Sequence, residues 1–302
     1  MVVTTQPAIV IEAVADMVLQ VKAGKVNPRD GKVGEFPWLN PPSPEQSLLA
    51  LFELTSTSPA LITPPTSNPS VASWLITPFG QLAAVFPGSS RWFGTIKASD
   101  DLGVGLEIVA IAACLETTEG IKPNDNGQWE LAADEDKSGE EELKMWCRHH
   151  FLNHHGLEKA YELYESLKAS VEHLAKVRLT SGRNIRDPNA YEQTIIKALC
   201  RGQFLNIAMR DKSEDTYRTV NFDVVALLER HSCLIGLDAK WIVYDKVFRS
   251  VGMPFFYTCS MVEPEMFIDL DYFKEENLFK KAKQDAPEQT LIAKALAQAR
   301  RK

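Results

Sequence analysis

The densest run of reactive side chains lies at residues 147–155, where Cys147, His149, His150, His154 and His155 crowd together. On a helix His150 and His154 stand one turn apart and could share a metal ion. A zinc hydrolase of the His-Glu-x-x-His kind needs glutamate directly after the first histidine, and Phe151 stands there. The expectation is a helix face carrying exposed or hydrogen-bonded histidines, with no metal site.

A second set is built for binding. Tyr217, Arg218, Trp241, Tyr244, Lys246, Phe248, Arg249 and Tyr257 interleave aromatic rings with positive charge. An oligonucleotide-binding face needs both, rings to stack bases and cations to neutralise phosphate. Aromatics alternating along strands also suit a core, and that reading stays open beside the first. Motifs with demanding spacings are missing from the sequence: it has no G-x-x-x-x-G-K-[ST] phosphate loop, no Asp-Glu-x-His or Asp-Glu-x-Asp box, no G-x-S-x-G elbow and no G-x-G-x-x-G. Neither catalytic residues nor cofactors are expected.

The elements that would position these residues follow from periodicity. Ile11, Val14, Val18 and Val21 mark an amphipathic helix over 7–23. Ser43-Pro44-Glu45-Gln46 has the form of a capping box opening a helix from Pro44 to about Thr55. Residues 56–73 read as a loop, and Thr77-Pro78 starts a short helix carrying Phe79, Leu82 and Val85. Further helical patterns cover Leu102 to Leu115, Glu140 to Val177 and residues 191–209. After Asp215 the pattern turns to short strands at Thr216–Val220, Val224–Leu228, Trp241–Phe248 and Phe255–Met261, enough for a small barrel. A helical tail runs from Lys274 to Lys302.

Composition narrows the function classes. The longest apolar stretch, Val104 to Leu115, is broken by Glu107 and falls far short of the roughly 20 residues that cross a bilayer. The first residues lack a basic segment, so a secretory signal is not expected and the chain is read as intracellular. Five widely spaced cysteines with no C-x-x-C pair argue against a disulfide framework or zinc ribbon. The net charge of −7 sits between Thr117 and Glu142, where nine acidic residues face Lys122 and Lys137. That segment reads as a solvated linker, and the remainder is neutral rather than repelling to phosphate.

In chain order the segments resemble the region that follows the second motor domain in DEAH-box RNA helicases. Ala15-Asp16-Met17-Val18-Leu19-Gln20-Val21-Lys22-Ala23 is similar to that family's lead-in, and Trp38-Leu39-Asn40-Pro41-Pro42-Ser43-Pro44-Glu45 to its helix start. Thr77-Pro78-Phe79-Gly80-Gln81-Leu82-Ala83-Ala84-Val85-Phe86-Pro87 resembles its Leu-Gly-x-x-Met-Ala-x-Phe-Pro run. Trp146-Cys147 with Phe151 and Leu157 resembles the opening of its ratchet helices. Ile196-Lys197-Ala198-Leu199-Cys200-Arg201-Gly202-Gln203-Phe204 looks like the helix leading into its barrel, through which Tyr217-Arg218-Thr219, Trp241-Ile242-Val243-Tyr244 and Val262-Glu263-Pro264 keep the family's spacing.

The resemblance implies a mostly α fold plus a small β-barrel, with winged-helix and helical ratchet (helicase-associated) domains followed by an OB-fold. The implied divisions are a lead-in helix and degenerate winged helix at 1–87, a ratchet domain at 88–190 containing the acidic linker 117–142, the OB-fold at 191–273 and a basic helical tail at 274–302. On this likeness the chain starts where the second motor domain ends and lacks the ATPase. It is expected to be a non-catalytic RNA-binding module acting in nuclear RNA processing, such as splicing or ribosome assembly. The alternatives are a protein-interaction module for helicase cofactors and a truncated product of an active helicase gene. Expected partners are single-stranded RNA and G-patch-type or other helicase partner proteins, with no membrane. The RNA-binding candidates are Arg148, Lys197, Arg201, Arg218, Lys246, Arg249 and Tyr257. Departures weaken this set: His155 and Tyr164 stand where ratchet arginines are usual, Tyr257 replaces a barrel arginine, Gly94 replaces a frequent lysine, Glu229-Arg230-His231-Ser232 replaces His-Pro-Ser-Ser, and 117–142 is too short for the family's Asp-His-Leu-x-Leu-Leu stretch. Each lost phosphate contact lowers affinity and its salt dependence.

Overall fold

Apolar residues at three- and four-residue steps become helices where one face can be buried. A computed structural model of the chain describes residues 14–24, 42, 44–57, 59–64, 74–117, 138–211, 216–220, 224–248, 252–274 and 289–301. Helix α1 (Val14–Lys22) buries Val14, Val18, Leu19 and Val21, the stripe its spacing predicts; residues 7–13 lie outside the described residues. Helix α2 (Pro44–Ser56) starts at the expected proline, and Ser43 of the capping box again lies outside. Within the expected loop lies β1 (Ile62–Thr63), which pairs antiparallel with β2 (Leu75–Ile76), just beyond it, in a two-residue ribbon.

Helix α3 (Pro78–Ala83) begins as predicted. The Thr77 hydroxyl accepts from the Gly80 amide at 2.9 Å, and proline fills the first turn. Gly80 is required by packing, because a Cβ there would stand 2.0 Å from the Leu61 carbonyl oxygen. Helix α5 (Gly105–Glu116) carries the apolar run, and its Glu107 accepts from the Ser181 hydroxyl at 2.5 Å, the Gly182 amide at 3.0 Å and the Tyr191 hydroxyl at 3.2 Å. One carboxylate oxygen thereby ties α5 to the turn at Gly182–Asn184 and to α8 (Pro188–Gly202).

The helical region expected over 140–177 resolves into α6 (Ser138–His149) and α7 (His154–Ala175). The break is a Schellman motif: the Leu152 amide reaches the Cys147 carbonyl at 2.8 Å, the Phe151 amide reaches Arg148 at 3.1 Å, and Phe151 takes the left-handed φ of 56°. Asn153 then caps α7 by accepting from the Gly156 amide. Likewise the helix expected over 191–209 stops at Gly202. A turn at Phe204–Asn206 redirects the chain, and Ile207–Arg210 becomes strand β3.

Strands β3, β4 (Thr216–Thr219), β5 (Val225–Leu228), β6 (Trp241–Phe248) and β7 (Phe255–Val262) close a five-stranded barrel in the order β3-β4-β5-β7-β6. Among the described residues only the β5–β7 pair of the barrel is parallel. One barrel core gathers Tyr217, Ala226, Ile242, Tyr244 and Phe256. A second gathers Trp241, Val243, Val262, Phe267 and Phe273, and helix α9 (Gln289–Ala299) lays Ile292 and Leu296 against it. Of the tail, residues 275–288 lie outside the described residues.

The element that sequence reasoning overlooked sits at the centre. Helix α4 (Ser90–Asp100) buries Trp92, Phe93, Thr95, Ile96 and Ser99 and packs against α3, α5, α7 and α8. Its polar core residues bond back to their own helix: Thr95 donates to the Arg91 carbonyl at 2.8 Å and Ser99 to that of Ile96 at 2.7 Å. At Gly202 helix α8 presses on α4, since a Cβ there would lie 2.3 Å from the Thr95 side chain, which has no exposed surface to move into. Gly202→Ala is expected to lower stability by about 1–3 kcal/mol, as overpacking does. The check is the urea midpoint, and a variant as stable as the parent would show that α4 and α8 separate without cost.

Candidate nucleic-acid interface

Strict alternation along β6 would turn Lys246 inward, because Tyr244 and Ile242, two and four places earlier, both enter a barrel core. The structure breaks that phase. The β6–β7 ladder pairs Tyr244 with Cys259 and Lys246 with Tyr257, but skips the rung between Asp245 and Thr258. Thr258 adopts a φ of 47°, a costly conformation for a β-branched residue. Beyond the break the inward residues are Val247 and Phe256, one step out of register with Tyr244 and Cys259. Lys246, Phe248 and Tyr257 are thereby carried to the outer face.

There they form a compact group. Phe248 and Tyr257 are 56% and 48% exposed, their ring centroids lie 6.3 Å apart at 61°, and Lys246 stands directly opposite Tyr257 and is exposed. Two adjacent solvent-facing rings and an ammonium can stack bases and neutralise phosphate. Just before β3 the buried Asn206 donates through Nδ2 to the Asp245 carbonyl at 3.0 Å. The turn at the end of α8 therefore supports the hairpin.

The Asp245 side chain faces the other way, toward the helical body. Burial pushes its carboxyl above the ordinary aspartate value, against the pull of Lys246 and Arg91. Glu116, at the end of α5, is also raised by burial, with its bond from the Ser89 amide opposing and Asp16 adding to the shift. Arg91 joins this group through Glu53, 3.1 Å from its Nη2. Attraction to Glu53 and Asp16 outweighs the effect of burial and holds the guanidinium charged.

The sequence-derived candidates separate on this geometry. Lys246 and Tyr257 are neighbours on the hairpin. Arg218 is largely buried and pairs with Asp211 at 3.0 Å, and Arg201 pairs with Asp269 at 3.3 Å. Arg148 is exposed on α6, Lys197 is half-buried on α8, and Arg249 lies outside the described residues. Of the interleaved aromatics, Tyr217, Trp241 and Tyr244 belong to the core; the Tyr217 hydroxyl donates to the Ala239 carbonyl at 2.7 Å. Phe248 completes the surface group. Asn206, Asp245 and Thr258 went unnoticed because nothing in their type or spacing signals a skipped rung. In the histidine run, His150 stacks on Trp146 at 4.1 Å and His154 lies 3.6 Å from Glu158. Among the described residues no group of three His, Cys, Asp or Glu side chains could hold a metal ion.

Residues 195–270, which hold the end of α8 and the whole barrel, match the oligonucleotide/oligosaccharide-binding (OB)-fold family. The chain is 22% identical over 294 residues to the pre-mRNA-splicing factor ATP-dependent RNA helicase prp22 of Schizosaccharomyces pombe, a match covering 90% of this chain and 23% of that protein. It is 25% identical over 266 residues to the probable ATP-dependent RNA helicase DHX35 of Homo sapiens and of Pongo abelii, covering 82% of this chain and 35% and 34% of those proteins. The chain spans about a quarter to a third of the curated relatives it matches, and the homology lies in the C-terminal regions of these DEAH-box helicases.

The raised Asp245 carboxyl makes a signed prediction. A folded-state value above the ordinary 3.8 means that the folded chain binds the proton more tightly, so stability is lost as pH rises from 3.8 through the raised value. Asp245→Asn carries no such charge and is expected to gain stability relative to the parent across that rise. Denaturation at several values between roughly pH 4 and 8 reads the difference, and parallel curves for the two proteins would contradict it.

Proposed function

We propose that this chain is an RNA-binding accessory module of the DEAH-box helicase kind, gripping single-stranded RNA on the outer face of its barrel hairpin. The observation that carries the reading is the exposed Phe248–Tyr257 ring pair beside Lys246, brought out by the skipped rung on an OB-fold. In this reading residues 1–87 are a lead-in helix and reduced winged helix, 88–190 a ratchet domain with the linker 117–142, 191–273 the OB-fold and 274–302 a basic tail. Arg148 and Lys197 extend the RNA path over the helices, while Arg201 and Arg218, both ion-paired, contribute less than their charge suggests. The module itself turns over no ATP, in keeping with a sequence that has neither a phosphate loop nor an Asp-Glu-x-His box. The relative named a splicing factor supports a nuclear setting. Among the described residues no helix is long and apolar enough to cross a membrane.

A fluorescence titration of labelled single-stranded RNA at roughly 50 and 200 mM salt tests the proposal. The parent chain binds at the lower salt. Tyr257→Ala weakens binding at both, by about 1–3 kcal/mol as expected for one lost stack. Lys246→Gln lowers the slope of log affinity against log salt by roughly 0.7, the share of one phosphate contact on a single strand. No binding at the lower salt, or variants that bind like the parent, rules the reading out. RNA-stimulated ATP hydrolysis by the purified chain would overturn its non-catalytic part.

A further inference from the structure

The barrel topology carries two cysteines toward one end of the barrel. Strands β5 and β7 run parallel with Leu228 opposite Phe256, and the Glu229 amide donates to the Phe256 carbonyl at 3.2 Å. Beyond that rung both segments continue in the same direction: the chain leaving β5 turns through Cys233, and β7 goes on to Cys259. Leu234 then enters the core that Tyr244 and Phe256 fill, and Cys259, opposite Tyr244 on the ladder, packs against the same core. Cys233 is exposed and Cys259 is half-buried. The charge of a Cys233 thiolate reaches the Cys259 thiol.

The two thiols differ in reactivity. The thiolate is the nucleophile, so exposure and ionisation decide which sulfur reacts first. Burial pushes the Cys259 thiol up to about 12, and Cys233 and then Asp245 add to the rise. Cys259 is therefore protonated and inert in the reduced chain, while Cys233 stands open to reagents. The backbone bonds that shape the turn are local, from Ser232 to Glu229, Ile235 to Ser232 and Leu237 to Leu234, so its tip can shift without unpairing a strand. Next to Cys259, the left-handed Thr258 marks the point where β7 leaves the regular ladder.

We infer that Cys233 and Cys259 form a redox pair whose disulfide pins the β5–β6 turn to β7 beside the skipped rung. The oxidant is a low-molecular-weight disulfide of the glutathione class. The Cys233 thiolate attacks it, so that one S–S bond breaks, a mixed disulfide forms, and the first glutathione leaves as a thiolate that takes up a proton. Cys233 then carries no charge, which removes one of the influences that hold the proton on Cys259. Cys259 gives up that proton and attacks the Cys233 sulfur, expelling the second glutathione. Two protein thiols are oxidised, one glutathione disulfide is reduced to two thiols, and both protons end on glutathione. The first step thus eases the second, and closure of the pair requires no RNA. Cys114, Cys147 and Cys200 sit on α5, α6 and α8, outside the barrel.

For the test, the full chain is incubated with oxidised and reduced glutathione in varied ratio, quenched with acid, unfolded, alkylated with N-ethylmaleimide and digested for mass spectrometry. As the oxidised fraction rises, the peptides holding Cys233 and Cys259 appear joined within one chain, while Cys147 and Cys200 remain alkylated. Cys259→Ala stops at a mixed disulfide between Cys233 and glutathione, and Cys233→Ser leaves Cys259 reduced. Amide hydrogen exchange along β7 slows in the oxidised parent, and the same treatment leaves it unchanged in Cys233→Ser. That substitution alters an exposed side chain, and unchanged circular dichroism confirms that the variant folds. A parent chain that stops at the mixed disulfide overturns the inference, as does oxidation of Cys259 in Cys233→Ser as rapid as in the parent. A bond that forms between two chains, or one that forms within the chain and leaves exchange along β7 unaltered, overturns it equally.

Discussion

Two backbone amides at the start of α4 hold the helical body in register. The Ser89 amide donates to the Glu116 carboxylate at 3.3 Å and the Ser90 amide to Asp16 at 2.8 Å, and Arg91 one residue on reaches Glu53. The first turn of a helix leaves amides without partners and attracts negative charge, so one helix end gathers α1, α2 and the end of α5. From that fixed end α4 runs through the core to its close approach with Gly202. Helix α8 then delivers Asn206 to the Asp245 carbonyl, and the hairpin face follows from there. Loosening the α4 start would disturb the barrel surface through a continuous chain of packed backbone.

That dependence explains which parts were legible in the sequence. Helices α1, α2, α3 and α7 announce themselves by spacing and caps, and β6 falls on its predicted limits because β-branched and aromatic residues suit a half-buried strand. Helix α4 did not, although it matters most. Its core face includes Thr95 and Ser99, whose hydroxyls are satisfied within the helix and can therefore be buried without an apolar signature. Strand β3 was hidden by continuity, since Ile207–Arg210 extends the apolar character of α8 and only the turn at Phe204–Asn206 separates them. Lys246 and Tyr257 were readable as candidates by type. Their meeting on one face depends on the skipped rung, a long-range pairing event that no local pattern encodes.

Several cations of the barrel are engaged in ion pairs. Arg218 and Arg201 are engaged by Asp211 and Asp269, and Arg210 by Asp238. In the RNA-binding mode proposed for the hairpin, stacking would then outweigh counterion release, and contact would be weakly salt-dependent and indifferent to sequence.

Asp245 and Lys246 are consecutive residues that point to opposite sides of one strand. The lysine ammonium is among the charges that ease ionisation of both Asp245 and Glu116 behind it. A phosphate held at Lys246 in the proposed complex would offset that pull and leave both carboxyls holding their protons more firmly. Occupancy of the outer face and proton uptake at the buried seam would then be a single linked equilibrium, with the strand backbone between them.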